Sequence, residues 1–68
     1  MQRVAIKDDV IRLGQFLKLA GVVESGAAVK ALIAEGAVTV NGEVELRRGR
    51  QLRRGDHVAL AGQSLEVG

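Results

Sequence analysis

Sixty-eight residues with no cysteine, a single histidine and one aromatic side chain, Phe16, exclude a disulfide framework and a Cys- or His-rich metal site. They also argue against a surface that grips bases by aromatic stacking. Net charge is only +2, yet the sequence pI is about 9.7 and five arginines crowd into residues 47–54, which points to a phosphate-rich partner.

A chain this short buries only roughly 60% of its unfolded surface, so it must pack its Val, Leu, Ala and Ile side chains tightly. No apolar run reaches the roughly 20 residues of a membrane span. The N-terminal "MQRVAIKDD" lacks the apolar centre of a signal peptide. The expectation is one domain over residues 1–68, soluble and cytoplasmic, with no membrane contact.

In chain order, "RVAI" at 3–6 reads as an edge strand. In "KDD", Asp8 or Asp9 is placed to cap a helix over 9–20, in which Val10, Leu13, Leu17 and Ala20 recur at helical spacing beside Phe16. Arg12, Gln15 and Lys18 lie on another side. Gly14 inside this helix costs about 1 kcal/mol relative to Ala, and Gly21 ends it. Ser25 then caps a second helix over 26–35, with Val29, Leu32 and Ile33 as its buried stripe and Gly36 as its stop. The two form a helix-turn-helix-like pair.

The period next changes from helical to two. "AVTV" alternates, and "NG" at 41–42 signals a hairpin. A two-residue loop would set Val40 opposite Glu43 and Val38 opposite Glu45, mixing apolar with acidic side chains on one face. A three-residue loop would pair Val40 with Val44 and Val38 with Leu46, so the apolar pattern favours the longer loop or a bulge. Leu52 reads as a buried anchor within the arginines, Gly55–Asp56 as a turn, and 57–60 and 64–67 as strands around "AGQ". The order β-α-α-β-β-β-β gives an α+β fold, the helix pair packed on one face of a small, mostly antiparallel sheet.

The stretch "RLGQFLKLAGVVESGAAVKALIAEGAVTVNG" resembles the RNA-binding domain named after ribosomal protein S-four, the alpha-L motif. The residues that carry the likeness are Arg12, Leu13, Leu17, Gly21, Ser25, Leu32, Ile33, Gly36, Val38, Val40, Asn41, Gly42, Gly55 and Asp56. Length and start are similar to the short stand-alone bacterial members. The resemblance implies a non-catalytic module whose helix pair and adjoining loop face structured RNA. Members usually carry Asp where this chain has Gly14, and Arg where it has Gly26. The arginines at 47–54 are therefore expected to carry more of the binding here.

The candidate RNA-binding residues are Arg12, Lys18, Ser25, Gly26, Lys30, Asn41, Arg47, Arg48, Arg50, Arg53 and Arg54. A guanidinium fork suits phosphate oxygens. Against this stands the plain reading of each: a solvated loop for the arginines, a polar helix face for Arg12, Lys18 and Lys30, a cap for Ser25 and a turn for Asn41. No catalytic residue, metal or cofactor is expected. His57 has no nucleophile beside it, and Asp8 and Asp9 as helical neighbours would not face each other. The expected partners are structured RNA, ribosomal or transfer RNA first, with ribosomal proteins as further candidates, and the chain is expected to act as a monomer. A protein-docking module and DNA binding are the competing readings.

Overall fold

Apolar residues at alternate positions of three strands and along one stripe of each helix meet in a single core. The computed structural model describes all residues 1–68, in the order β1 (Gln2–Val4), β2 (Val10–Arg12), α1 (Leu13–Leu19), α2 (Gly26–Ala34), β3 (Val38–Val40), β4 (Glu43–Val44), β5 (Gln51–Arg53), β6 (His57–Leu60) and β7 (Gln63–Val67). Val38 and Val40, Val58 and Leu60, and Leu65 and Val67 supply the sheet side of the core. Leu13, Phe16 and Leu17 of α1 and Val29 and Ile33 of α2 supply the helix side. No helix is long and apolar enough to cross a membrane.

The main sheet runs β1-β7-β6-β3-β4. Only the β1–β7 pair is parallel. A separate antiparallel ribbon joins β2 to β5 and sets Ile11 opposite Leu52. Leu52 is fully buried, as its role of anchor requires. The architecture is the α+β fold expected, with two strands more than the sequence pattern suggested.

The second helix forms as its sequence dictates. The Ser25 hydroxyl accepts from the Ala28 N–H at 3.1 Å. At the other end Gly36 takes a positive φ of 76°. The Ala37 N–H donates to the Leu32 carbonyl and the Gly36 N–H to the Ile33 carbonyl, the paired bonds of a Schellman stop.

The first helix corrects its sequence reading. Residues 10–12 are extended, and the helix starts at Leu13, so neither Asp8 nor Asp9 caps it. Arg12 stands at the cap position with φ −78° and ψ 146° and makes no side-chain cap bond. The reason is tertiary. The N–H groups of Leu13 and Gly14 donate to the carbonyls of Arg50 (2.8 Å) and Arg48 (3.0 Å), so the arginine stretch caps the helix with its backbone. β1 likewise sits slightly earlier than residues 3–6.

The hairpin is a second correction. Val40 lies opposite Glu43 and Thr39 opposite Val44, which is the two-residue loop at Asn41–Gly42. Both loop residues have positive φ, 51° and 86°, as the twist-matched hairpin turn demands. Val44 and Leu46, which a longer loop would have buried, are 58% and 63% exposed. The same turn chemistry recurs at Ala61–Gly62 between β6 and β7.

This register has a direct test in urea denaturation. Leu46→Ala should change stability by no more than about 0.5 kcal/mol, as exposed substitutions do. Leu52→Ala should cost about 2–5 kcal/mol, the range for truncating a fully buried Leu. A large loss at Leu46 would restore the longer loop.

Candidate nucleic-acid interface

With the two-residue loop, residue 45 falls on the face of Val38 and its carboxylate turns inward. Glu45 is only 6% exposed and is the one buried charged residue of the chain. A buried carboxylate is tolerable only if its oxygens are satisfied. Here they are, by residues that follow at once. Glu45 Oε2 accepts from the Arg47 backbone N–H (3.0 Å) and from Arg47 Nε (3.1 Å). Oε1 accepts from Arg47 Nη2 (3.2 Å) and Arg50 Nη1 (3.0 Å). The Arg47 side-chain bond, then its backbone N–H and the Arg50 guanidinium, outweigh burial and lower the Glu45 pKa to about 2. The same bond pushes the Arg47 guanidinium above its ordinary value.

Tied at both arginines, the chain turns sharply, and the Arg50 N–H donates to the Arg47 carbonyl. This corner presents the two carbonyls that cap α1. It also lays the Arg48 stem across Gly14. A Cβ built at residue 14 would stand 2.7 Å from Arg48 Cγ, so only glycine permits this approach without a shift.

Arg54 is also engaged. Its Nη1 meets Asp9 Oδ1 at 3.1 Å and its Nη2 donates to the Ile6 carbonyl at 3.1 Å, tying down the segment before β2. Because Asp9 is fully exposed, that ion pair is weak. Thus Arg47, Arg50 and Arg54 make internal bonds, while the side chains of Arg48 and Arg53 make none.

Between α1, the start of α2 and the Arg48–Gly49 corner lies an open cavity of about 350 Å³. Arg12, Lys18 and Arg48 line it together with Gln15, Gly14, Gly26, Gly49 and Val29, and no acidic residue does. Gln15 and Lys18, three apart, share one side of α1, and Arg12 at the end of β2 lines the same cavity. None of the three cations takes part in an ion pair within the chain. Gly26 opens α2 at the cavity wall, and the N–H groups of Gly26 and Ala27 have no partner in the fold.

The remaining candidates fall around this centre or away from it. Lys30 is exposed one turn beyond Gly26 and does not line the cavity. Arg53 is exposed on the outward face of the β2–β5 ribbon, the face that also carries Arg12. Asn41 serves the turn: its Oδ1 accepts from the His57 N–H at 2.9 Å and its Nδ2 donates to Asp56 Oδ1 at 3.2 Å. His57 stands 3.6 Å from Glu66, which also holds Arg3. No group of three or more His, Cys, Asp or Glu residues is arranged to hold a metal ion.

Sequence reasoning did not single out Gln15, Gly14 or Gly49 as site residues. The signal for Gln15 was its spacing midway between Arg12 and Lys18. Glu45 was also missed as the organiser of the loop, although its position opposite Val38 had marked it as unusual.

Comparison with known proteins gives a consistent result. The S4 domain family matches residues 4–68. A probable ribosome maturation protein, RlbA of Bacillus subtilis, is 48% identical over 59 residues, covering 87% of this chain and 83% of that protein. A putative RNA-binding protein of Escherichia coli, YbcJ, is 46% identical over 57 residues, 84% of this chain and 81% of that one. The solution structure of YbcJ, described as revealing an alpha-L motif involved in RNA binding, superposes with a TM-score of 0.75 over 98% of this chain and 86% of that one, at 41% identity. The ribosomal protein S4e of Thermoplasma acidophilum shares the fold alone, with a TM-score of 0.64, 21% identity and 31% of its own length covered.

The Glu45 cluster sets a pH dependence. Its folded pKa lies below the unfolded one, so its contribution is complete above the unfolded carboxylate range and is lost as pH falls toward about 2. The urea midpoint of the wild type should therefore drop over that window. Glu45→Gln should begin lower at neutral pH and drop less. Parallel pH profiles for the two proteins would contradict the assignment.

Proposed function

The chain belongs to the S4 domain family, and from that premise we propose that residues 1–68 act as one non-catalytic, cytoplasmic RNA-binding domain that recognises structured RNA through phosphate and shape contacts. The observation that carries this reading is the convergence of Arg12, Lys18 and Arg48, all without ion-pair partners, on one open cavity free of acids. Such a surface neutralises phosphates and releases counterions. With Phe16 fully buried, no Phe, Tyr or Trp is on offer for base stacking.

The likeness to a protein named for ribosome maturation favours ribosomal RNA as the ligand, with transfer RNA next. Lys30, one turn beyond Gly26, and Arg53, on the ribbon face of Arg12, extend the basic surface beyond the cavity. Ser25 holds the start of α2 in place, so that the Gly26 N–H can meet a phosphate oxygen. Arg54 joins the surface if a phosphate displaces the exposed Asp9. Arg47 and Arg50 act chiefly through the loop they build with Glu45, and Asn41 through its turn. The free monomer is the working unit. A protein partner, such as a ribosomal protein, would find Val44 and Leu46 exposed at the open edge of β4. A pull-down that survives nuclease would favour that reading.

The test is the salt dependence of binding to a folded RNA that contains a helical junction. Arg12→Ala, Lys18→Ala and Arg48→Ala should each lower the slope of log K against log salt by about 0.7–0.9, the increment for one phosphate. A triple variant with the slope of the wild type would remove the cavity from the interface.

A further inference from the structure

We infer that the cavity between α1, α2 and the Arg48–Gly49 corner receives one unpaired nucleotide of the bound RNA, its own and its neighbours' phosphates at Arg12, Lys18 and Arg48 and its base edge at Gln15. This rests on the RNA-binding reading and adds the form of the ligand at its centre.

Size is the first ground. A phosphate on a flat basic surface needs no recess, and this one, a half-open cleft, measures about 350 Å³, the size of clefts that take small molecules. It is several times larger than a phosphate group fills. A nucleotide held in a duplex cannot enter, because its base is paired and stacked. A bulged or looped nucleotide can, and unpaired positions are where proteins read RNA sequence.

The chemistry of the lining is the second ground. Three cations are excessive for a neutral ligand and suit consecutive phosphodiesters of a nucleic-acid backbone. Val29 is the only apolar side chain in the wall. Gln15 is the only neutral side chain there with hydrogen-bonding groups. Its amide offers both a donor and an acceptor, the pair that reads a base edge. None of the side-chain hydrogen bonds within the chain uses it. The planar guanidinium of Arg48 can lie against a base face, which replaces the absent aromatic.

The third ground is the emptiness of the wall at α2. Gly26 lines the cavity, and a Cβ there would meet nothing within 4 Å, so bulk can be added at this wall without disturbing the fold. Gly26 is also the first helical residue, where leaving glycine favours the helix.

The experiment uses the full chain and one RNA stem-loop in three forms: fully paired, with a single bulged A, C, G or U, and with an abasic bulge at the same position. Affinities are read by fluorescence anisotropy at fixed salt, with circular dichroism to confirm folding of each variant. The wild type should bind the best base-bearing bulge about tenfold tighter than the paired stem, within the range one seated base contributes. The abasic bulge, which keeps the extra backbone unit but lacks the base, should bind like the paired form. In Gly26→Leu the margin between bulged and paired stems should vanish. In Gln15→Ala the spread among the four bases should narrow. Equal binding of paired and bulged stems by the wild type overturns the inference, as does an abasic bulge that binds as well as the others or a margin that survives Gly26→Leu. If the paired stem is still bound with a steep salt slope, the RNA-binding reading stands without the nucleotide pocket. If no form is bound better than by a scrambled basic peptide, both fall.

Discussion

The first N–H groups of α1 have no acceptor in their own helix, and the chain supplies two carbonyls from residues 48 and 50. That pair of bonds fixes where the helix begins. It therefore fixes the direction in which Arg12, Gln15 and Lys18 project, and it holds Arg48 beside them. The carbonyls are available only because the chain bends at Arg48–Gly49, and it bends there because Glu45 clasps Arg47 and Arg50. A single inward-facing carboxylate thus stands upstream of the helix start, the loop shape and the cavity wall.

This arrangement explains which parts of the fold were legible in the sequence. The second helix was readable almost to the residue, since its signals are local: Ser25 three residues before the N–H it caps, and Gly36 just past the end. The alternation of Val38, Val40, Val58, Leu60, Leu65 and Val67 likewise revealed the sheet. The start of the first helix was not readable, because its caps lie more than thirty residues away in sequence. Helical spacing extended back to Val10, but pairing with β5 drew residues 10–12 into a ribbon. Long-range pairing overrode a local periodicity.

The hairpin shows a different kind of conflict. Turn chemistry at Asn41–Gly42 favoured two residues, while the apolar pattern favoured three. The turn prevailed, for a reason the pattern alone could not display. Burial of an acid opposite Val38 is costly only when the acid is unpaired, and two arginines within five residues supply four donors. The feature that counted against the register is the one the fold uses to build its loop.

A run of five arginines invites the view that all serve one ligand, and charge counting cannot separate them. Geometry does. Arg47 and Arg50 are turned toward Glu45, Arg54 toward Asp9 and the Ile6 carbonyl, and only Arg48 reaches the cavity. Once the internal pairs are formed, three free cations, Arg12, Lys18 and Arg48, meet at one place, and no acid lines the cavity with them. The modest net charge of +2 conceals this segregation. Gly14 completes it, for a side chain there would push Arg48 out of its place over α1. The electrostatic character of the site thus depends as much on a missing side chain and a buried acid as on the arginines themselves.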